Sequence, residues 1–597
     1  MHNSILTSPQ PTPAAAPRPR FDLALLWRAY SYLRPKARVT VGAYAATIGV
    51  IGMNLALPQF IRWIIDAGIL GAQPAVLGWA VLGLLVLTLV KGVLVYGQGR
   101  WTEVASQHVA YTLRNDLQRK LTELSFAFHN QSEAGELLSR AMQDVERIRF
   151  LTGRATLRLL ESALLFGGTG VLLVWMNPGL ALIALVILPV LGVVALSYGR
   201  RFRPLSLDIQ RQMATLTTRV EQSLRGGRVV RAFAQETGEI ERFDRENERW
   251  FTLSRESVRL QAINLPLLLL IANLGTIAVL WLGGQQVIGG QLTIGELVAF
   301  TTYLAQFVNP MRLLGLVIPA IAMASSSAER IFEILDTTAT VHDTPDAQPL
   351  GRVEGNLRFE SVSFSYAHRP VLKDIDFEAR PGQAIALFGP TGSGKSSIVN
   401  LIPRFYDPTS GRITLDGHDL RTVTLNSLRS QIGTVLQETT LFAGSVRDNI
   451  AFGRPGASEA EIVAAAQGAQ AHDFIERMSH GYDTRVGERG VTLSGGQRQR
   501  LAIARTLLLD PRILILDDAT ASVDSETERL IGLALERVMQ GRTTFIIAHR
   551  LSTIRRADLI LVLDHGRIRA RGDHATLLQN SRFYAQLVQK QIRSEAQ

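Results

Sequence analysis

The chain contains no cysteine among its 597 residues. This excludes disulfides, thiolate metal sites and thiol catalysis, and leaves the compartment open. Charge is also sparse. Asp, Glu, Lys and Arg together make up 19% of the residues, against 47% hydrophobic, where a soluble chain carries about 25% charge. The missing charge is concentrated: residues 39–61, 67–90, 162–199 and 260–295 hold none at all. There are only six lysines, yet the net charge is +11. Such a balance suits either a nucleic-acid partner or basic loops beside a membrane.

The uncharged runs decide between these. A bilayer crossing needs about 20 consecutive apolar residues. Residues 39–61 suffice for one. The run 67–90 begins as a loop at Gly71-Ala72-Gln73-Pro74. The run 162–199 is divided by Asn177-Pro178-Gly179, and 260–295 by Gly283-Gly284 and Gly289-Gly290. The reading is six spans, at about 39–61, 74–98, 158–176, 179–199, 260–282 and 293–323. Segments 100–158 and 200–259 are rich in Arg and Glu, whereas the other connections are short and nearly uncharged. The positive-inside rule then puts both termini and both long segments in the cytoplasm. These segments read as helical hairpins whose arms, at thirty residues each, reach roughly 45 Å. The chain is thus expected to be a multi-pass protein of the cytoplasmic membrane with no nucleic-acid partner. Residues 1–20, rich in Pro, Ala, Ser and Thr, read as a disordered tail with no secretory apolar run. Over residues 21–33, Leu23, Leu26, Trp27, Tyr30 and Leu33 recur at helical spacing among arginines, as in a helix on a membrane surface.

Residues 336–356 carry turn and linker residues, and 357–597 has the composition of a soluble α/β domain. The expected fold is therefore an α-helical membrane domain over 21–335 followed by an α/β nucleotide-binding domain. The latter holds Gly389-Pro390-Thr391-Gly392-Ser393-Gly394-Lys395-Ser396, the pattern G-x-x-x-x-G-K-S, between a buried-strand run and a helix start. Glycines let the loop curl its N–H groups toward phosphate oxygens, and the helix adds its positive end. Gly389, Thr391, Gly392, Ser393, Gly394, Lys395, Ser396 and Ser397 are the expected phosphate contacts. Lys395 reaches the β- and γ-phosphates, and Ser396 ligates Mg²⁺.

Further residues narrow the reading. Leu493-Ser494-Gly495-Gly496-Gln497 opens a helix. Ile513 to Leu516 is an apolar strand ending in Asp517-Asp518, followed by Ala521-Ser522-Val523-Asp524. His549 closes another apolar strand, Tyr366 lies upstream and Gln437 lies between. In this order and spacing, residues 357–580 resemble the nucleotide-binding domain of ATP-binding cassette transporters. Six spans ahead of the cassette resemble an exporter half-transporter. The resemblance implies ATP and Mg²⁺. Tyr366 stacks on adenine, Ser396, Gln437 and Asp517 hold Mg²⁺, and His549 contacts the γ-phosphate. Ser494, Gly495, Gly496 and Gln497 meet ATP on the other half of a dimer, with Asp524 at the dimer contact. It also implies export or flipping of hydrophobic or amphipathic compounds, drugs or lipids. The alternative is an ATP-gated channel or regulatory subunit.

The sequence departs from the family pattern at Asp518, where Glu ordinarily polarises the attacking water. A carboxylate about an ångström short costs about a hundredfold in rate. The departure resembles the slow half of a heterodimer, so a heterodimeric partner is favoured over a homodimer. Two cytoplasmic segments resemble coupling elements: Phe126-Ala127-Phe128-His129 leading into 135–140, and 224–233. Residues 484–490 are expected to touch one of them. Polar residues in the spans, Asn54, Gln59, Glu296, Gln306, Asn309 and Arg312, are pathway candidates. Glu296 and Arg312, roughly 24 Å apart along a helix, are expected near the outer and inner surfaces.

Overall fold

The computed structural model describes residues 23–367, 369–436, 439–487, 493–517, 525–548 and 551–595, with side chains at all but 184–185, 188, 307–316, 318–319, 525, 552–553 and 593–595. The tail 1–20 lies outside the described residues. The chain divides into two compact units. One joins residues 1–122 to 134–337, and the other joins 123–133 to 338–597.

The first unit is built of six long helices, Arg34–Leu70, Pro74–Glu123, Ala134–Met176, Pro178–Arg225, Glu236–Ile288 and Ile294–Asp336. In hydrocarbon every backbone N–H and C=O must be satisfied within the segment, and a helix does this alone. Among the described residues, the first three and Glu236–Ile288 are long and apolar enough to cross a bilayer. The expected fourth and sixth spans fall on Pro178–Arg225 and Ile294–Asp336. The 50 residues of Pro74–Glu123 extend about 75 Å, more than twice a hydrocarbon core. Only 6% of its apolar stretch is buried by protein, and Trp79, Leu89 and Val93 point outward. Water would penalise that surface, whereas lipid does not.

The turn after the fifth apolar run differs from expectation. Gly283-Gly284 does not end the helix, which continues to Ile288, and the chain turns at Gly289-Gly290. Gly283 is instead a packing glycine. A Cβ there would come within 2.5 Å of Leu297 Cδ1. The residues at 21–33 form the helix Leu23–Ser31, with Leu26 and Ala29 buried and Leu23 and Trp27 exposed.

The upper part of the first long helix is tied to the last one. Pro58 has no N–H to give the carbonyl of Asn54, and Gln306 Nε2 reaches that oxygen at 3.4 Å. The Tyr303 hydroxyl donates to the next carbonyl, Leu55 O. Farther along, Arg62 pairs with Glu296 at 2.8 Å. Asp66 accepts from Thr293 Oγ1 at 2.6 Å and Gly295 N at 2.9 Å. Gln59 donates to Met176 Sδ at 3.2 Å. The backbone carbonyl of Asn54 and the side chains of Gln59, Glu296 and Gln306 therefore hold helices together, and the side chains of Asn309 and Arg312 lie outside the described set. Near the start of Ala134–Met176, Asp144 is buried. It accepts from Arg330 Nε at 2.8 Å and Nη2 at 2.6 Å, and from Ser327 Oγ at 2.8 Å.

The second unit has two main sheets. An antiparallel sheet in the order β2-β1-β4-β5 comprises β1 (Leu357–Tyr366), β2 (Arg369–Ala379), β4 (Ser410–Leu415) and β5 (His418–Asp419). The six-stranded sheet holds β3 (Ala384–Phe388), β6 (Ile432–Val435), β9 (Ile513–Asp517), β10 (Thr543–Ile547), β11 (Leu559–Asp564) and β12 (Arg567–Gly572), in the order β12-β11-β3-β10-β9-β6. All neighbours in it are parallel except β12. Its strands read as unbroken apolar runs because helices cover both faces, and β3 and β10 are buried at every residue. A short pair, β7 (Gly444–Ser445) with β8 (Arg485–Val486), stands apart. Residues 338–356 are bound along this unit: Asp416 accepts from Glu354 N, Gly355 N and Asn356 N, and Asp343 from Leu425 N.

Asp144→Ala leaves the Arg330 guanidinium without its carboxylate. It is expected to destabilise the helical unit by about 2 kcal/mol, read as a lowered unfolding midpoint of the detergent-solubilised chain.

Candidate functional site

The carboxyl ends of three neighbouring strands assemble the site. The register sets Leu387 of β3 beside Ile547 of β10, and Ile547 beside Asp517 of β9. The phosphate-binding loop and Asp517 therefore leave the sheet from one edge, where open parallel sheets bind ligands.

The loop needs its glycines. Gly389 has φ 155°, and a Cβ there would lie 2.2 Å from the Leu563 carbonyl oxygen. Gly394 has φ 107°, and a Cβ there would lie 2.6 Å from Leu372 Cδ2. The helix Lys395–Leu401 starts directly after it. Lys395 is 6% exposed, and its ammonium donates to Gly389 O at 2.8 Å and Pro390 O at 3.0 Å. Burial lowers its pKa, and the nearby Asp517 carboxylate opposes that shift. Thr391, Gly392 and Ser396 face solvent, while Ser393 and Ser397 are buried. Ser393 Oγ has no hydrogen-bond partner among the described residues. A buried cation, an orphaned hydroxyl and a loop with no room for a side chain at Gly389 or Gly394 together fit a phosphate. Ser396 and Asp517 supply oxygens of the kind Mg²⁺ takes.

Tyr366 stands at the end of β1. Its hydroxyl accepts from Ser397 Oγ at 3.4 Å, next to the Mg²⁺-ligand candidate Ser396. At a second helix start, Ser494 caps Gly495–Leu509. Its Oγ accepts from Gln497 N at 3.3 Å, and Gln497 Oε1 accepts from Ser494 N at 2.9 Å. This reciprocal box fixes the loop and leaves Ser494 and Gly495 at the surface. Behind it Arg500 is buried, donating to Gln470 O at 2.6 Å and lying 4.7 Å from the Phe474 ring. Gln437, Asp518, Asp524 and His549 lie outside the described residues, as do 488–490 of the segment 484–490.

The peptide 123–133, which interrupts the membrane helices in sequence, clusters with this unit, with Leu124 buried and most other residues partly or fully exposed. Its helix Phe126–Gln131 lays Phe126 flat on Phe405, with centroids 5.0 Å apart and planes at 16°. Asn130 Nδ2 donates to Tyr406 OH at 3.0 Å. Phe405 and Tyr406 were not among the residues singled out in the sequence. Their signal is an aromatic pair ten residues beyond Lys395, just before Asp407-Pro408. In the first unit, Gly227–Ala232 forms a second short helix at a hairpin tip, where Leu224 is 78% and Phe233 72% exposed.

Two family models match the chain: the ABC transporter transmembrane region over residues 42–311, and ABC transporter over 372–521. An uncharacterized ABC transporter ATP-binding protein of Bacillus subtilis, YknU, is 37% identical, covering 94% of this chain and 96% of that one. An ATP-dependent lipid A-core flippase of Syntrophus aciditrophicus is 38% identical, covering 94% of each. Among solved structures, a bacterial Atm1-family ABC exporter with ATP bound matches with TM-score 0.75 and 33% identity, over 96% of this chain and 99% of that one.

Gly389→Ala forces a methyl group onto the Leu563 carbonyl. It is expected to destabilise the nucleotide unit by about 1–3 kcal/mol and to weaken binding of a fluorescent ATP analogue roughly tenfold or more, both measured on the purified chain.

Proposed function

Because the chain belongs to the ATP-binding cassette transporters, with membrane half and transport ATPase on one polypeptide, we propose that it exports or flips amphipathic, lipid-like molecules by alternating access. The observation that carries this reading is the peptide 123–133. It is covalently continuous with two membrane helices and yet folded into the nucleotide unit. Motion at the ATP site has a direct lever on the bundle. Lipid-like cargo is favoured because relatives are named lipid A-core flippases. A flippase substrate must present both an apolar and a polar part to the protein.

The residues divide the work as follows. The loop 389–397 holds the phosphates, with Lys395 leaving its own loop carbonyls for the β- and γ-oxygens. Tyr366 stacks on adenine. Ser396, Gln437 and Asp517 hold Mg²⁺, which neutralises phosphate charge. Ser494 to Gln497 present a helix start to the ATP held by a second half-transporter, and Asp524 lies at that contact. Two ATP molecules sandwiched in this way draw the halves together. The exposed Leu224 and Phe233 beside the helix Gly227–Ala232 suit docking on that partner. Asp518 orients water imperfectly and His549 steadies the γ-phosphate, so this site turns over slowly. The partner in the favoured arrangement is a different half-transporter with Glu at the matching position.

Inside-out vesicles holding the wild-type pair are expected to accumulate a fluorescent phospholipid probe in an ATP-dependent way, and Lys395→Ala is expected to abolish it. Accumulation without ATP, or undiminished in the variant, overturns the reading. Asp518→Glu is expected to raise ATP turnover of the chain alone by roughly ten- to a hundredfold, measured as phosphate release. Brisk turnover by the unaltered chain removes the case for a dissimilar partner.

A further inference from the structure

We propose that Tyr406 is a positioning residue that reports the state of the adenine site to the peptide 123–133. The inference rests on Tyr366 stacking adenine, as proposed above. Tyr406 is 9% exposed, and its ring is held on three sides. Tyr366 meets it edge-on, at 5.1 Å and 89°. Phe364 lies 5.4 Å away at 55°. Phe126, from the peptide, meets it at 6.2 Å and 88°. On the peptide side, its hydroxyl accepts the Asn130 amide at 3.0 Å. Burial raises the phenol's pKa, so the group stays neutral and able to share hydrogen bonds.

The chemistry of position 406 separates a reporter from a filler. Space-filling alone asks for an apolar ring, as Phe405 supplies next door under Phe126. Tyr406 instead spends its hydroxyl on one residue of the peptide. An edge-to-face pair has a preferred geometry. If stacking on a base turns the Tyr366 ring, its edge-on contact with Tyr406 changes with it. Tyr406 has only two side-chain torsions with which to respond. Moving it disturbs the Asn130 hydrogen bond or the Phe126 contact. Because Phe126 and Asn130 lie between the helices Pro74–Glu123 and Ala134–Met176 in sequence, that disturbance reaches both.

Hydrogen–deuterium exchange on the full chain in phosphatidylcholine nanodiscs, with and without Mg²⁺-ATP, tests this. In the wild type, ATP is expected to change exchange across 123–133. Tyr406→Phe keeps the ring and loses the hydroxyl, whereas Asn130→Ala loses the donor. Each is expected to shrink the ATP-dependent change about fivefold, the equilibrium worth of one hydrogen bond. The double variant should lose no more than either single one. ATP protection of 389–401 should persist in all three. A purely structural role would instead alter exchange of 123–133 equally with and without ATP. That result overturns the proposal, as does a wild-type response in Tyr406→Phe, additive losses, or no ATP response in the wild type. Tyr366→Leu distinguishes the underlying reading. It should weaken ATP binding by about fivefold or more, the worth of base–aromatic stacking. If its affinity is unchanged, the adenine assignment fails. If its affinity falls while Tyr406→Phe behaves as wild type, only the Tyr406 proposal fails.

Discussion

Phe126 lies flat on Phe405, and the place of the peptide 123–133 in the nucleotide unit depends on contacts of that kind. A nucleotide site can act on a membrane bundle only through something both possess. Two stretches qualify: residues 123–133, which lie between two membrane helices in sequence and cluster with the sheets, and residues 338–356, which follow the last long helix and are bound along the nucleotide unit. The energetic requirement is modest but strict. Phe126 itself stays 42% exposed, so ring stacking and the Asn130 hydrogen bond, not deep burial, seat the peptide. Ala127 packs on the same core as Tyr366 and Phe405, so the seat is continuous with the interior that carries the phosphate-binding loop.

The two units solve opposite solvation problems with the same residues. In the nucleotide unit, apolar strands are buried on both faces and polar loops are gathered at one edge, where the ligand chemistry resides. In the helical unit the apolar residues face outward, and the few buried charges, such as Asp144 with Arg330, fasten helices to each other. A chain with so little charge can afford both arrangements only because lipid covers much of its surface.

Much of this was legible in the sequence. The apolar runs without charge marked the long helices, and Gly389 to Ser396 marked the loop, because few residue types tolerate those backbone angles and close approaches. Ser494 at a helix start followed from the signature, though its reciprocal bond with Gln497 did not. What stayed hidden depended on distant pairing. Gly283 reads as a turn until Leu297 is placed against it. The partners of Gln306 and Glu296, Asn54 O and Arg62, lie more than two hundred residues away and leave no mark in the local sequence. Tyr406 carries no motif, and its meaning arises from Tyr366 and Asn130, forty and 276 residues away in the chain.

Pro58 interrupts the hydrogen bonding of the first long helix, and the last long helix supplies the missing partners. The first helix is therefore bonded to the last on both sides of the proline, at Asn54 and Leu55 before it and at Arg62 and Asp66 after it. Hydrocarbon offers no substitute for those partners, so the two helices stay fastened across the proline. Turning the first helix about its own axis would break bonds on both sides of the proline.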